Sequence, residues 1–310
     1  MGLKTVVMTG PWVAIQRNPR SGSGRRRLEL VELCRSLRRH SITPRLFVRR
    51  EEFDERVREP TSRSHLVAVV AAGGDGTVVD VVNRNPELPL AVLPMGTENL
   101  LARYLGLPAS GRELGELIAA GCTRRIDVGR ANGQLFTLVA SAGFDAFVAH
   151  LLHNTRSGHI THFSYAQPIW TALRTYRYPR MSVYLDDDPI PIEGIEVMVS
   201  NLPAYGMGLK VGQSAQPDDG RFVVTVMQRG SAFQMARYAI KLWRGTHERA
   251  ADVRVMSANR VRIGAVDPTG RSIPFQVDGD PSGVVPVELE CLPSSLEVFV
   301  LSDRQGGGCG

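Results

Sequence analysis

The sequence predicts an α/β half followed by a β-rich half, and three observations predict it. Over about the first 125 residues, apolar strand-like runs alternate with segments of helical period. After Arg125 the pattern turns to short strand-like segments separated by Gly, Pro, Asn and Asp. The chain has 310 residues, 43% of them hydrophobic, which is enough for a large core and a length that fits one or two domains.

The elements follow in order. Trp12-Val13-Ala14-Ile15 is a short apolar run ending in the turn-rich Asn18-Pro19-Arg20-Ser21-Gly22-Ser23-Gly24. A helix follows, with Leu28, Val31, Cys34 and Leu37 spaced as one face and Arg25, Arg26, Arg35 and Arg39 on the other. Residues 45–48 read as a strand, and Phe53 with Val57 as a short helix. Residues 65–72 are the strongest strand, a nearly unbroken apolar run of the kind buried on both faces in a parallel sheet. Gly73-Gly74-Asp75-Gly76-Thr77 then opens a helix carrying Val78, Val81 and Val82. Residues 90–93 form another buried strand, Pro94-Met95-Gly96-Thr97 breaks it, and residues 98–105 read as a helix. This alternation predicts a parallel sheet covered by helices.

In the second half, residues 134–139, 181–185, 195–199, 222–227, 260–263 and 286–292 read as strands, interrupted by helical stretches at 146–153 and 165–176. That predicts an antiparallel sandwich or open barrel. The expected domains are 1–125, completed by 293–304, and 126–292, with 305–310 a disordered tail. Two such halves are expected to meet at a cleft, a common place for ligands.

Lys and Arg number 37 against 31 Asp and Glu, a net charge of +6 that permits an anionic partner. Nucleic acid is disfavoured, because no recognised module is present and aromatics are only 6%. Cys34, Cys122, Cys291 and Cys309 show no metal or CxxC spacing, and they are expected as reduced thiols in a cytoplasmic protein. Residues 1–18 have no signal-peptide pattern, Val6 stands where a myristoylation signal needs Ser or Thr, and no run is long enough to span a bilayer.

The chemistry concentrates in three loops. Gly73-Gly74-Asp75-Gly76-Thr77 joins a buried strand to a helix, so its backbone can approach a ligand and the helix start favours negative charge. No Gly-Lys-Ser/Thr follows, so it is not a Walker A loop. Asp75 acts there through Mg²⁺ or nucleotide hydrogen bonds, or else simply caps the helix. The loops at Asn18–Gly22 and Pro94–Asn99 open at the same carboxyl edge of the sheet, and their convergence says more than any one of them.

Asn18-Pro19-Arg20-Ser21-Gly22, Gly73-Gly74-Asp75-Gly76-Thr77 and Pro94-Met95-Gly96-Thr97-Glu98-Asn99, in that order, resemble the catalytic domain of the diacylglycerol kinase and sphingosine kinase superfamily. Gly143-Phe144-Asp145-Ala146, Asn201 with Gly206 and Gly208, Pro217-Asp218-Asp219-Gly220 and Gln276-Val277-Asp278-Gly279-Asp280 extend the likeness through the second half, closest to the soluble bacterial lipid kinases. The resemblance implies an N-terminal Rossmann-like nucleotide-binding domain and a C-terminal antiparallel β-sandwich for the lipid, with the active site in the cleft between them. It implies ATP-dependent phosphorylation of a hydroxyl of diacylglycerol or a related lipid. By motif, Asn18, Pro19, Arg20, Ser21, Gly22, Gly73, Gly74, Asp75, Gly76, Thr77, Gly96, Thr97 and Asn99 would contact ATP. Asp280 would be the general base, with Asp278 and Asp75 as further catalytic carboxylates. Asp219 and the backbone carbonyls of Gln216 and Arg221 would hold Mg²⁺, with Asp127 behind them. The expected partners are the lipid and, peripherally, an anionic membrane surface, with a homodimer left open.

The chain departs from the family pattern at Asp280, where Glu is usual, at Val79 and Leu100, where polar residues are usual, and at Val48 or Arg49, in the region of a nucleotide-contacting Thr. These departures support the alternative of a catalytically impaired lipid- or nucleotide-binding protein. A sphingoid-base kinase is a further alternative, and a soluble-substrate kinase related to the NAD kinases is disfavoured by the second-half motifs. His150, His153, His159 and His162 form a cluster whose commoner use is a solvated helix face rather than a metal site. Trp170 and Tyr176 belong either to the core or to the wall of a lipid cleft. Among Arg20, Arg25, Arg26 and Arg27, only Arg20 lies within a loop expected to bind phosphate.

Overall fold

The computed structural model describes residues 10–18, 24–154, 165–267 and 272–301, without the side chains of 24–26. It divides into two compact units, residues 1–126 with 295–310, and residues 127–294.

Unit 1 runs β1 (Trp12–Arg17), α1 (Gly24–Arg39), β2 (Thr43–Phe47), α2 (Arg50–Arg58), α3 (Pro60–Arg63), β3 (Leu66–Gly73), α4 (Asp75–Arg84), β4 (Leu90–Pro94), α5 (Leu100–Tyr104) and α6 (Gly111–Ala120). Its strands pair in parallel in the order β2-β1-β3-β4. The centre of the sheet is apolar on both faces: Trp12 to Ile15 and Ala68 to Ala72 are fully buried. The short helix read from Phe53 and Val57 is α2, and both residues are buried in it.

The face assigned to α1 needs correction. Leu28 and Val31 are 65% and 46% exposed, and the buried stripe is Leu30, Leu33 and Leu37. Gly111 and Gly115 of α6 decide this. A Cβ on Gly111 would fall on the Glu29 carbonyl oxygen, and one on Gly115 would meet Ser36 Cβ at 2.5 Å, so α6 sits directly on the 29–37 side of α1. The helix expected over 98–105 is limited to α5, because Asn99 takes a left-handed conformation at φ 49°.

β5 (Thr123–Ala131) leads into unit 2, which continues β6 (Gln134–Phe136), β7 (Val139–Ala142), α7 (Phe144–Asn154), α8 (Ala166–Thr175), β8 (Met181–Leu185), β9 (Ile192–Gly194), β10 (Glu196–Ser200), β11 (Phe222–Met227), α9 (Ala232–Arg244), β12 (Val253–Ala258), β13 (Arg260–Ala265), β14 (Pro274–Val277) and β15 (Asp280–Val284). β16 (Val287–Phe299) leads out again, and its Val298 pairs with Leu90 in unit 1. One sheet of unit 2 has six antiparallel strands in the order β12-β11-β10-β7-β14-β15. Facing it are β16, β13, β8 and β9, also antiparallel. Phe222, Val224 and Val226 from one sheet share a buried core with Met181, Val183, Val261 and Ile263 from the other, which makes unit 2 a β-sandwich.

Two expectations change here. α9 is a third helix in the β-rich half, where two were expected. Trp170 is 58% exposed, so it is not a core residue. Cys34 and Cys291 are free thiols, as expected, and Cys309 lies outside the described residues. Among the described residues no helix is long and apolar enough to cross a membrane.

Candidate active site

In unit 1 the parallel register brings three loop starts to one edge. Arg17 pairs with Ala72 and Gly73 with Pro94. The Asn18 N–H donates to Ala72 O (3.3 Å), and the Met95 N–H donates to Gly73 O (2.8 Å). The connections from β1 to β2 and from β3 to β4 diverge at this point, and open α/β sheets bind ligands at such a divergence. Asn18 stands at this edge, whereas Pro19, Arg20, Ser21 and Gly22 lie outside the described residues.

The loops after β3 and β4 touch backbone to backbone. A Cβ on Gly74 would meet Gly96 Cα at 3.1 Å, and one on Gly96 would fall on Gly74 Cα and 2.9 Å from Asn99 Oδ1. Gly73 is closed by Thr77, whose buried hydroxyl packs against it and has no hydrogen-bond partner. Gly76 is different: nothing lies within 4 Å of a Cβ placed there. The fold therefore accounts for Gly73, Gly74 and Gly96 but not for Gly76. Gly74 is also the N-cap of α4 and offers no side chain, which leaves the positive end of the helix without a side-chain cap.

Asp75 and Asn99 are committed to the loops themselves. Asp75 Oδ1 accepts the Leu101 N–H at 3.4 Å, bracing the start of α5. Burial raises the Asp75 pKa above its usual 3.8, and the Glu98 carboxylate adds to the rise, against N–H groups that lower it. Asn99 clasps one peptide, accepting the Gly96 N–H (2.7 Å) and donating to Gly96 O (2.9 Å). Thr97 is exposed beside them. Glu98 pairs with Arg103 at 3.8 Å. Val79 and Leu100 are buried, so the positions where the family pattern is polar serve packing here. A cavity of about 370 Å³ lies against these loops, lined by Glu29, Met95, Asn99, Arg103 and Leu107.

In unit 2, Val277 pairs with Asp280, so Asp278-Gly279 is a two-residue hairpin loop. Its φ values, 49° and 88°, fit a type I′ turn, which Asp-Gly favours. Asp280 follows the turn and is exposed. Asp278 faces inward instead. Its Oδ2 accepts the Thr137 N–H (2.8 Å) and Oγ1–H (3.3 Å), and its Oδ1 accepts the N–H groups of Leu138 and Val139 (2.9 Å each). Asp278 is thus a structural anchor for the start of β7 rather than an open catalytic group. Asp278→Asn is expected to cost about 2 kcal/mol, because an amide nitrogen cannot accept those N–H groups. In a thermal melt that lowers Tm by roughly 4–8 °C; an unchanged Tm would remove the anchoring role.

A buried chain of polar groups supports the turn. Gln276 Oε1 accepts the Gly279 N–H (2.6 Å), and Gln276 Nε2 donates to Ser141 Oγ (2.8 Å) and Asp145 Oδ2 (3.2 Å). Asp145 Oδ2 also accepts from Ser141 Oγ (2.6 Å) and the Tyr205 hydroxyl (3.3 Å). Glu196 accepts the Phe144 and Asp145 N–H groups at the start of α7, while its buried Oε1 has no partner.

Burial raises the pKa of Asp145, and it raises that of Glu196 well above 4.5, with the Asp145 charge adding to the latter. Both acids bind protons more tightly folded than unfolded. Their stabilising contribution is complete below the unfolded values of 3.8 and 4.5 and is lost as pH rises through the raised folded values. Glu196→Gln is therefore expected to lose less stability than the wild type as pH rises above 4.5. Parallel Tm–pH curves for the two proteins would refute this.

Asp127 ties a third loop. Its Oδ2 accepts the Gly220 N–H and its Oδ1 the Ser294 N–H, at 2.7 Å each. Asn201 Nδ2 donates to Asp127 O and Thr137 O, at 3.0 Å each, and its buried Oδ1 has no partner. Asp219 Oδ1 accepts the Arg221 N–H (2.9 Å) in the same loop as the Gln216 and Arg221 carbonyls. The Asp127 and Asp219 charges help burial push the Cys291 thiol up to about 12. No group of three or more His, Cys, Asp or Glu is placed to hold a metal among the described residues. His150 Nε2 lies 3.1 Å from Phe275 O, His153 is exposed, and His159 and His162 lie outside the described residues.

The roles of Gln276, Asp145 and Glu196 were not read from the sequence. The first two stand inside the Gly143–Ala146 and Gln276–Asp280 segments, whose residue types do not show which of their polar groups are buried and paired. Glu196 carried a signal of its own, a lone acid in a strand otherwise apolar.

Comparisons with known proteins agree with this architecture. Residues 13–131 match the diacylglycerol kinase catalytic domain, and residues 138–300, more than half of the chain, match the YegS C-terminal NAD kinase beta sandwich-like domain. A diacylglycerol kinase of Mycobacterium tuberculosis (strain ATCC 25618 / H37Rv) is 28% identical over 240 residues, covering 75% of this chain and 76% of its own. One of Bacillus subtilis (strain 168) is 25% identical over 241 residues, covering 76% and 78%. The fold is also that of the crystal structure of a diacylglycerol kinase from Bacillus anthracis str. Sterne, with a TM-score of 0.69 at 21% identity over 94% of this chain and 97% of that one. Each half of the chain thus matches one part of the same two-part family, and the protein belongs to the diacylglycerol kinase and YegS-like lipid kinase family.

Proposed function

We propose that the protein transfers the γ-phosphoryl group of ATP to a hydroxyl of diacylglycerol or a related lipid. The observation that carries this reading is the meeting of glycine loops at one sheet edge, with Gly74 and Gly96 in backbone contact and Gly76 facing open space. A glycine that the fold does not require is one a ligand can approach closely. In the proposed role, the uncapped start of α4 and the exposed Thr97 face the phosphates, whose charge suits the helix dipole. Asn99 and Asp75 hold that geometry, and Asn18 marks the third loop.

In unit 2, Asp280, exposed at the end of the type I′ turn, is given the role of general base. The lipid oxygen bonds to the γ-phosphorus as the bond to the β–γ bridging oxygen breaks and ADP leaves. The hydroxyl proton passes to the Asp280 carboxylate. Mg²⁺ fits the loop at Asp219 by donor chemistry, a carboxylate with the Gln216 and Arg221 carbonyls, all hard oxygens. Asp127 has both oxygens occupied by N–H groups and would act only from behind. The ion would supply positive charge to an acidic loop. The experiment is transfer from radiolabelled ATP to a panel of lipids including diacylglycerol and sphingoid bases. Labelled diacylglycerol is expected; folded protein with Mg²⁺ that labels no lipid would sink the reading. The competing non-catalytic reading draws on Asp280 standing where Glu is usual, and ATP binding without turnover in calorimetry would favour it.

A further inference from the structure

α9 has two apolar faces. Met235, Tyr238 and Leu242 are buried. Phe233, Ile240 and Trp243 are 76%, 53% and 62% exposed, and Ala236 between them is exposed as well. Positions 233, 236, 240 and 243 form one helical stripe, and nothing in the proposed transfer uses it. α9 contains no Asp or Glu, and Lys241 and Arg244 lie in its last turn. The exposed Lys210 borders it through a backbone N–H that donates to Leu242 O (3.1 Å). Arg237, by contrast, is paired with Asp252. α8 packs beside α9 and adds the exposed Trp170, with the Arg174 guanidinium 4.8 Å from the ring centroid.

We propose that this face docks the protein on an anionic lipid surface, with Phe233, Ile240 and Trp243 between headgroups and acyl chains, and Lys210, Lys241 and Arg244 against the headgroups. Interfacial helices combine aromatic and aliphatic residues on one face with Lys and Arg around it, and Trp favours that depth. Pairing with a second copy would set the same cationic rim against itself, whereas an anionic surface neutralises it. The inference rests on the lipid-acceptor reading and deepens it, since such an acceptor resides in a bilayer.

The test is co-sedimentation of the full chain, without nucleotide, with vesicles of phosphatidylcholine alone or mixed with phosphatidylglycerol. The wild type is expected to bind the mixed vesicles, less so as salt rises. Phe233→Ser/Trp243→Ser and Lys241→Glu/Arg244→Glu are each expected to weaken binding at least about tenfold while their circular dichroism and melting stay unchanged. Should a variant misfold, quenching of wild-type tryptophan fluorescence by brominated lipid decides the matter, and no quenching overturns the proposal. Variants that bind like the wild type overturn it and leave the kinase reading standing. So does a wild type that ignores vesicles but forms dimers that Phe233→Ser/Trp243→Ser dissolves. Face-dependent binding by a protein that phosphorylates no lipid would defeat the kinase reading alone.

Discussion

Asp280→Asn is expected to lower lipid phosphorylation by about 10²–10⁴-fold while leaving the melting temperature unchanged. The substitution keeps the shape of the side chain and removes its ability to take a proton. Asp280 pairs with Val277 through the strand backbone, and the positive φ values of the turn belong to Asp278 and Gly279. The loss should fall on kcat, since proton transfer matters in the transition state and not in ATP binding. Asp280→Glu, which restores the family's usual longer arm, should retain activity. Retained activity in Asp280→Asn would remove Asp280 as the base. Asp278→Asn provides the contrast, because that carboxylate is consumed by N–H groups and its loss registers in Tm.

The contrast between these two aspartates marks what a sequence can say. Type I′ chemistry is local, so Asp-Gly between strands is legible as a turn. Whether a carboxylate there meets a substrate or the N–H groups of Thr137, Leu138 and Val139 depends on residues about 140 positions away. The loop glycines were legible for the same local reason, because they punctuate the buried runs of β3 and β4. The inward side of α1 was not. Leu28 and Val31 make as good a stripe as Leu30 and Leu33, and only the glycines of α6 choose between them. α9 is not legible in the same way, because apolar residues stand on both of its sides, which blurs the single-stripe periodicity that announces a helix. The buried network of Asp145, Gln276 and Glu196 escaped because its logic is hydrogen-bond satisfaction, which appears only after the strands are paired.

Gly96→Ala is expected to disable the nucleotide loops from within. Its methyl group would fall on Gly74 Cα and within 2.9 Å of Asn99 Oδ1. The first neighbour is backbone and cannot rotate away, so the β3 and β4 loops must part. The Asn99 clasp on the Gly96 peptide, with bonds of 2.7 and 2.9 Å, opens with them. Overpacking of this kind costs about 1–3 kcal/mol of stability, and a displaced cradle should weaken ATP binding at least about tenfold. Gly76→Ala separates the two effects. Nothing lies within 4 Å of a Cβ at that position, so the fold should tolerate the methyl group and Tm should hold. ATP affinity should still fall, because the added carbon occupies the space through which phosphate approaches the start of α4. Calorimetry of ATP binding beside a thermal melt reads both quantities on each variant. If Gly76→Ala binds ATP as the wild type does, the phosphates do not lie against that loop; if Gly96→Ala keeps wild-type Tm and affinity, the two loops are not locked together as their glycines indicate.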